Sequence, residues 1–179
     1  MELLLHTCCA PCLTYSAEVF RQEFDQVTAL WYNPNIHPFK EYEKRFGSLK
    51  DYDSQTDIDI IYIDEYKLES FLKEALESEN RCRVCYMNRL GKTAEIAADK
   101  DIEAFSTTLT ISPYQDHELI QEVGEEVGRK NEVKFVYKDL RDGFQKHHEM
   151  ANEMDLYKQG YCGCIFSERE RYHKKLLDR

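Results

Sequence analysis

The chain has 179 residues, with 24 lysine and arginine side chains against 34 aspartate and glutamate, for a formal net charge of −10. This balance argues against a protein that coats nucleic acid through a general basic surface, but it leaves room for a local basic patch. The length suits one domain with a substantial core, and the apolar fraction of 42% is ordinary for such a domain.

No apolar run approaches the roughly 20 residues that cross a bilayer, and the N-terminus lacks the charged and apolar segments of a signal peptide. We therefore expect a cytoplasmic protein that does not enter a membrane. Structural disulfides are uncommon in that compartment, where clustered cysteines more often indicate metal or redox chemistry. The interpretation of the sequence consequently depends on how its seven cysteines are arranged.

Hydrophobic patterning predicts strands that alternate with helices. Strands are expected at residues 2–7, 27–32, 58–63, 104–111 and 133–137. Helices are expected at residues 13–24, 39–52, 68–76, 81–99, 119–129, 144–156 and 167–177, the second of them polar and the last basic. Such alternation predicts an open α/β architecture with a parallel sheet of about five strands and right-handed crossovers.

The carboxyl ends of the strands are where open parallel sheets bind ligands. Cys8 and Cys9 follow strand one directly, and the polar turn Ser112-Pro113-Tyr114 follows strand four. The glycine-rich signatures that cradle phosphates in related architectures are absent. Cysteines stand where a nucleotide-binding protein would carry glycines, which indicates a different chemistry.

The cysteines fall into three groups: Cys8, Cys9 and Cys12; Cys82 and Cys85; and Cys162 and Cys164. An isolated cysteine is usually a small buried hydrophobe, but close spacing lets two thiolates reach one centre. Four thiolates would satisfy a tetrahedral zinc ion or a [4Fe–4S] cluster equally well. The remaining three favour redox chemistry, because Cys162 and Cys164 could form a dithiol/disulfide couple or bind a second metal.

Several polar residues are candidates for contact with a substrate. His6 is either a proton donor near the cysteines or a hydrogen-bonded residue at a strand end. Thr107 and Thr108 either reflect the strand preference of threonine or begin a substrate-facing loop that continues to Tyr114 and Asp116. The adjacent pair at 147–148 is expected to be solvated on a polar helix face.

Basic residues cluster in two places: Arg81, Arg83, Arg89 and Lys92 around the second cysteine group, and Arg169, Arg171, Lys174, Lys175 and Arg179 in the last helix. They are either solvated helix faces or a basic rim around the site. Aromatic residues beside the cysteines, Tyr86, Tyr114 and Tyr161, could stack on an exposed base, as in readers of single-stranded RNA.

The sequence carries four distinctive segments: HTCCAPC at 6–12, RCRVCY at 81–86, FSTTLTISPY at 105–114 and YCGC at 161–164. Taken together, these segments resemble the epoxyqueuosine reductase family QueH. The resemblance implies a Rossmann-like fold related to adenine-nucleotide hydrolases, in agreement with the expected sheet. It also implies the last step of queuosine biosynthesis, the cobalamin-independent reduction of epoxyqueuosine to queuosine in the tRNA wobble position.

The resemblance further implies roles for the cysteines. Cys8, Cys9, Cys82 and Cys85 look like the ligands of a [4Fe–4S] cluster. Cys162 and Cys164 look like a redox-active pair, or alternatively like the holders of a second iron ion, to which Cys12 is also assigned. The implied partners are tRNA carrying epoxyqueuosine and an electron donor whose identity the sequence does not give.

Conversion of an epoxide to an alkene takes two electrons and two protons and releases water. An iron–sulfur cluster passes one electron at a time, so a neighbouring dithiol or second iron would hold the second electron. A second iron could also act as a Lewis acid on the epoxide oxygen, while His6, Tyr114 and Asp116 are the candidate proton sources.

Two other functions stay open at this point: a zinc-stabilised RNA-binding module, and a thiol–disulfide oxidoreductase that uses Cys162 and Cys164 alone. For the chain as a whole we expect a single α/β domain over 1–179, in which the Cys-Gly-Cys segment and the basic last helix close over the site.

Overall fold

A parallel sheet of five strands forms the centre of the molecule, in the order β3-β2-β1-β4-β5. The computed structural model describes residues 1–177, and side chains as far as residue 173. The strands are β1 (Glu2–His6), β2 (Gln26–Trp31), β3 (Ile60–Tyr62), β4 (Ala104–Thr107) and β5 (Lys134–Phe135). The helices are α1 (Ala10–Phe20), α2 (Phe39–Asp53), α3 (Leu68–Glu77), α4 (Arg81–Asp99), α5 (His117–Asn131), α6 (Phe144–Glu153) and α7 (Ile165–Leu177).

Strand β1 occupies the middle of the sheet because its side chains are apolar on both faces. Leu3, Leu4 and Leu5 are all buried, and the strand pairs with β2 on one side and β4 on the other. Helix α4 packs against β1 and β4, whereas α1 packs against β2. The expected open α/β architecture, with an apolar central strand covered on both faces, is thereby confirmed.

The order of the strands places a topological switch point between β1 and β4. From β1 the chain moves outward to β2 and β3, then returns across the sheet to β4 and β5. Crossovers on either side of such a point diverge, which leaves a crevice beyond the carboxyl ends of the two strands. Cys8 follows β1 and Thr108 follows β4, so both begin at this crevice.

Several expected elements differ in extent from those observed, and two of these differences have an identifiable cause. The strand expected over 104–111 ends at Thr107, and Thr108–Ile111 forms a 3₁₀ turn. The Thr107 hydroxyl accepts a hydrogen bond from the Leu109 backbone N–H at 3.2 Å, which replaces a ladder bond with a local one. Helix α1 begins at Ala10 rather than at 13, because the Cys9 sulfur caps its first turn by accepting from the Cys12 N–H at 3.4 Å.

Helix α2, expected to be polar, has a buried face as well as an exposed one. Its inward face buries Tyr42, Arg45, Leu49 and Tyr52. The 3₁₀ turn Arg141–Gly143 precedes α6. Among residues 1–177, each helix is too short or too polar to cross a bilayer.

Candidate metal centre

All three cysteine groups reach one cavity of about 880 Å³. Five thiols line it: Cys8, Cys12, Cys82, Cys162 and Cys164. Cys9 and Cys85 are buried beside their neighbours, and all seven cysteines, which lie within the described residues, are free thiols. Segments separated by about half the chain therefore deliver sulfur donors to a single crevice.

The first group, Cys8, Cys9 and Cys12, has its three sulfur atoms within 4.8 Å of one another. The Sγ atoms of Cys8 and Cys9 are 3.7 Å apart. Hydrogen bonds from Cys12, Cys9 and Thr108 hold the pKa of Cys8 well below its usual range. Burial raises the pKa of Cys9, and donation to Cys8 together with burial raises that of Cys12. Contacts between the three sulfurs thus favour a thiolate within this group.

The second group opens helix α4. The Asn80 Oδ1 atom caps this helix by accepting from the Arg83 N–H at 3.1 Å, which fixes the first turn that carries both cysteines. Cys82 is exposed to the cavity, whereas Cys85 is buried and packs with Cys164. Burial raises the pKa of Cys85 to about 12 although Arg89 opposes the shift, so this thiol is protonated at neutral pH unless a metal ion binds it.

The third group is held in place by Arg45 on α2. Its guanidinium donates to the carbonyl oxygens of Tyr161 at 2.8 Å and Cys162 at 3.1 Å. The His37 N–H donates to the Gly163 carbonyl at 2.8 Å. Gly163 has a φ of +113°, a conformation that side chains disfavour, and this turn lets Cys162 and Cys164 both approach the cavity.

Two polar side chains contact the sulfur atoms: Gln159, which the sequence did not single out, and Arg89, which it placed only in a basic cluster. The Gln159 Nε2 atom lies 2.9 Å from Cys9 Sγ. The Arg89 Nη2 atom lies 3.0 Å from Cys85 Sγ, and its Nε donates to the Cys85 carbonyl at 3.3 Å. Gln159 Oε1 and Arg89 Nη1 have no hydrogen-bond partner among the described residues. Such unpaired buried groups beside sulfur donors are consistent with a site that takes a charged or polar occupant.

The residues expected to face a substrate divide into two sets. Thr108, Tyr114 and Asp116 line the cavity, and the Thr108 hydroxyl lies 3.4 Å from Cys8 Sγ. His6 and Thr107 do not line it: they are buried, with His6 Nδ1 2.9 Å from Thr107 Oγ1. Burial, together with the charge of Arg89, lowers the pKa of His6 to about 3, so this histidine is neutral at physiological pH.

The expectation that 147–148 is solvated was wrong for His147, which is buried. Its ring lies 4.0 Å from that of His148 and 5.1 Å from that of Phe144. All three side chains line the cavity. Burial lowers the pKa of His147 to about 4. Packing of α6 against α1 turns this face inward, a relationship that the polar helix pattern does not reveal.

The basic residues around Cys82 and Cys85 do not form one common rim. Ion pairs join Arg81 to Glu170 at 2.6 Å, Arg83 to Glu122 at 2.7 Å and Lys92 to Glu95 at 2.9 Å. In contrast, Arg89 is buried. Of the basic residues in the last helix, Arg171 lines the cavity, whereas Lys174, Lys175 and Arg179 lie outside the described side chains.

The donor set fits a thiophilic metal or an iron–sulfur cluster. Soft thiolates select zinc or iron–sulfur centres, and three clustered sulfurs with four more nearby provide enough ligands for either. The fold and the site together define a class: a Rossmann-like α/β protein with a thiol-lined metal or redox centre at the switch point of its sheet.

Comparison with known proteins narrows that class. A family model described as epoxyqueuosine reductase QueH matches residues 3–170. The epoxyqueuosine reductase QueH of Dehalococcoides mccartyi is 37% identical over 174 residues, covering 97% of this chain and 96% of that protein. Its namesake in Thermotoga maritima is 35% identical over 184 residues, covering 96% and 93% respectively. This chain therefore belongs to the epoxyqueuosine reductase QueH family.

Proposed function

We propose that this chain reduces epoxyqueuosine to queuosine in the wobble position of tRNA, the last step of queuosine biosynthesis. Membership of a family whose curated members are named epoxyqueuosine reductase supports this activity. The observation that carries it is the convergence of three cysteine groups on one cavity at the switch point. We place the reaction in the cytoplasm, with an electron donor still to be identified.

Four thiols are our proposed ligands of a [4Fe–4S] cluster: Cys8, Cys9, Cys82 and Cys85. The short distance between the Cys8 and Cys9 sulfurs, 3.7 Å, and the position of Cys82 on the cavity wall support this set. When bound there, such a cluster supplies electrons one at a time.

Cys162 and Cys164 are our proposed redox-active pair, or alternatively ligands of a second iron together with Cys12. All three line the cavity, although the Cys12 sulfur also lies within 4.8 Å of those of Cys8 and Cys9. The two arrangements differ in where the second electron is held: in a dithiol or on a metal.

The balanced reaction breaks both carbon–oxygen bonds of the epoxide, forms a carbon–carbon double bond and releases the oxygen as water. Two electrons and two protons are consumed.

Tyr86 lines the cavity, and its Oη donates to Gln115 at 2.7 Å and accepts from the Asp116 N–H at 3.3 Å. Burial raises the pKa of Tyr86, so its Oη holds a proton at neutral pH. We propose this hydroxyl as a proton donor to the departing oxygen beside Tyr114 and Asp116, because all three line the cavity and His6 does not.

Recognition of the RNA would use the cavity mouth. Tyr114 is 81% exposed there, and its ring meets the edge of Phe144 at 6.0 Å. Exposed aromatic rings of this kind stack on unpaired bases of RNA loops.

We also propose that the Cys-Gly-Cys segment and α7 close over the site as part of a single domain, since Glu170 and Arg171 line the cavity and Glu170 pairs with Arg81 at 2.6 Å.

Metal analysis of anaerobically purified protein tests the proposal. We expect about four irons and matching sulfide per chain after reconstitution. Zinc in a colourless protein would instead indicate an RNA-binding module.

Two variants separate the roles of the cysteines. Cys82→Ser should lose the cluster together with turnover, and activity that survives this change would indicate a thiol–disulfide oxidoreductase. Cys162→Ser should keep the brown cluster and lose turnover, and normal turnover would refute the role of the Cys162/Cys164 pair.

A further inference from the structure

Arg89 is a buried cation without an ionic partner. Its side chain is 2% exposed. Its hydrogen bonds go to the Cys85 carbonyl and to Cys85 Sγ, and its Nη1 has no partner among the described residues. No ion pair involves Arg89 within the described part of the chain, although every other arginine on α4 has one. The guanidinium also lies over the Tyr86 ring, 5.8 Å from its centroid.

A buried, unpaired charge is costly, because desolvation is not repaid by an opposite charge. The surroundings of Arg89 indicate where that opposite charge belongs. Cys85 lies against its Nη2 on one side, and the electrostatic field of Cys8 reaches it from the first cysteine group. The guanidinium therefore contacts one proposed ligand of an anionic centre, Cys85, and the charge of a second proposed ligand, Cys8, favours the protonated guanidinium.

We infer that Arg89 is the fixed countercharge of the metal centre, and that it raises the reduction potential of that centre. This inference rests on the proposed function. A cluster held by thiolates is negatively charged, and uptake of one electron increases that charge. A fixed cation beside it stabilises the reduced form more than the oxidised form, which is one of the ways in which proteins set cluster potentials. Arg89 acts through the cluster and not on the substrate, so it is a positioning residue.

The experiment is a redox titration of the reconstituted holoprotein, followed by EPR, on the parent and four variants. Arg89→Gln and Arg89→Met both remove the charge, and the methionine also leaves no unsatisfied donor in the buried site. Arg89→Lys keeps the charge. Lys92→Gln is the matched control, because it removes one positive charge from the same helix at a partly exposed ion pair with Glu95.

At the midpoint potential of the parent, we expect the ratio of reduced to oxidised cluster to fall at least about tenfold in both neutral variants, a shift of about 59 mV or more for one electron. Arg89→Lys should stay within about threefold of the parent, and Lys92→Gln within about twofold because solvent screens that site. Loss of the cluster in both neutral variants but not in Arg89→Lys would also support a countercharge.

Three results would overturn the inference. Unchanged potentials in iron-loaded Arg89→Gln and Arg89→Met would show that the charge does not act on the centre. Loss of the cluster in Arg89→Lys as well as in the neutral variants would show that the site needs the size and hydrogen bonds of arginine and not its charge. A parent protein that binds no iron would refute the proposed cofactor and this inference with it. Iron content, measured before any titration, distinguishes this result from the other two.

Discussion

Arg45 and Cys162 are joined across 117 residues of sequence by a hydrogen bond of 3.1 Å from the Arg45 guanidinium to the Cys162 carbonyl. The same guanidinium pairs with Glu41 through its Nε at 2.7 Å, and Glu41 accepts a second hydrogen bond from the Tyr157 hydroxyl at 2.7 Å. Helix α2 thereby fixes the backbone that presents two of the seven thiols to the cavity.

Arg45→Lys should slow turnover without removing the proposed cluster. Lysine keeps the charge but cannot donate to Tyr161, Cys162 and Glu41 in one plane. Loss of a hydrogen bond from a charged donor costs about 1.5–3 kcal/mol, so we expect kcat to fall at least about tenfold while iron content is unchanged. The control is Lys40→Met on the exposed face of the same helix. A parental kcat in Arg45→Lys would show that the Arg45 hydrogen bonds do not position Cys162 and Cys164.

Gly163→Ala should disturb the backbone of the same Cys-Gly-Cys segment by a direct steric clash. An alanine Cβ would lie 2.9 Å from Ile36 Cγ1 and 3.0 Å from Arg45 Nη1, at a φ of +113°. We expect a loss of unfolding free energy of about 1–3 kcal/mol, together with reduced turnover. Gly47→Ala is the matched control: nothing lies within 4 Å of its Cβ, and alanine in a helix should stabilise by about 0.5–1 kcal/mol. Equal effects at the two positions would refute the strain argument.

Stability should fall as the pH is lowered through the range of a buried histidine. His37 is enclosed by Tyr66 and Phe71, and burial lowers its pKa from 6.5 to about 4. Between these values the unfolded chain binds a proton that the folded chain does not. The free energy of unfolding therefore decreases as the pH falls, by up to about 1.4 kcal/mol per pH unit for this one histidine.

Urea unfolding at a series of pH values measures this slope. His37→Phe, which suits the aromatic surroundings, should make the slope shallower between pH 6.5 and 4. Identical slopes in parent and variant would show that His37 titrates normally in the folded protein.

Tyr114→Ala should weaken RNA binding while leaving the fold intact, because the ring is 81% exposed. Base stacking on an aromatic ring contributes about 1–3 kcal/mol, so KM for epoxyqueuosine tRNA should rise roughly five- to 150-fold, whereas Tyr114→Phe should behave like the parent. Leu76→Ala, at another exposed apolar side chain, serves as the control. Equal KM values for parent and Tyr114→Ala would exclude stacking at this residue.

The sheet and the position of the first cysteine group could be predicted from sequence because both follow from local patterns, whereas a common site for the three groups was implied only by the family resemblance. The apolar run before Cys8 indicates a central strand, and the rule that ligands bind at carboxyl ends of strands places Cys8 and Thr108 together. The end of β4 was missed, because a run of threonines favours a strand until a side-chain hydrogen bond of the kind made by Thr107 interrupts the ladder.

The supporting residues could not be predicted, because their partners are distant in sequence. Arg45 and Gln159 look like ordinary surface positions on polar segments, and Arg89 looks like one member of a basic cluster. Only the folded chain brings Gln159 to Cys9, 150 residues away, and buries Arg89 against Cys85. The expectation that His147 is solvated was wrong for the same reason. A helix that packs at the rim of a cavity has no distinctive hydrophobic periodicity in its sequence.

The most direct test is mass spectrometry of the nucleosides from epoxyqueuosine-containing tRNA, after anaerobic incubation with the iron-loaded protein and dithionite. We expect epoxyqueuosine to be converted to queuosine, with the loss of one oxygen atom and the consumption of two electrons for each nucleoside. Epoxyqueuosine that stays unchanged, although the protein retains its full complement of iron and binds the tRNA, would contradict the proposed function.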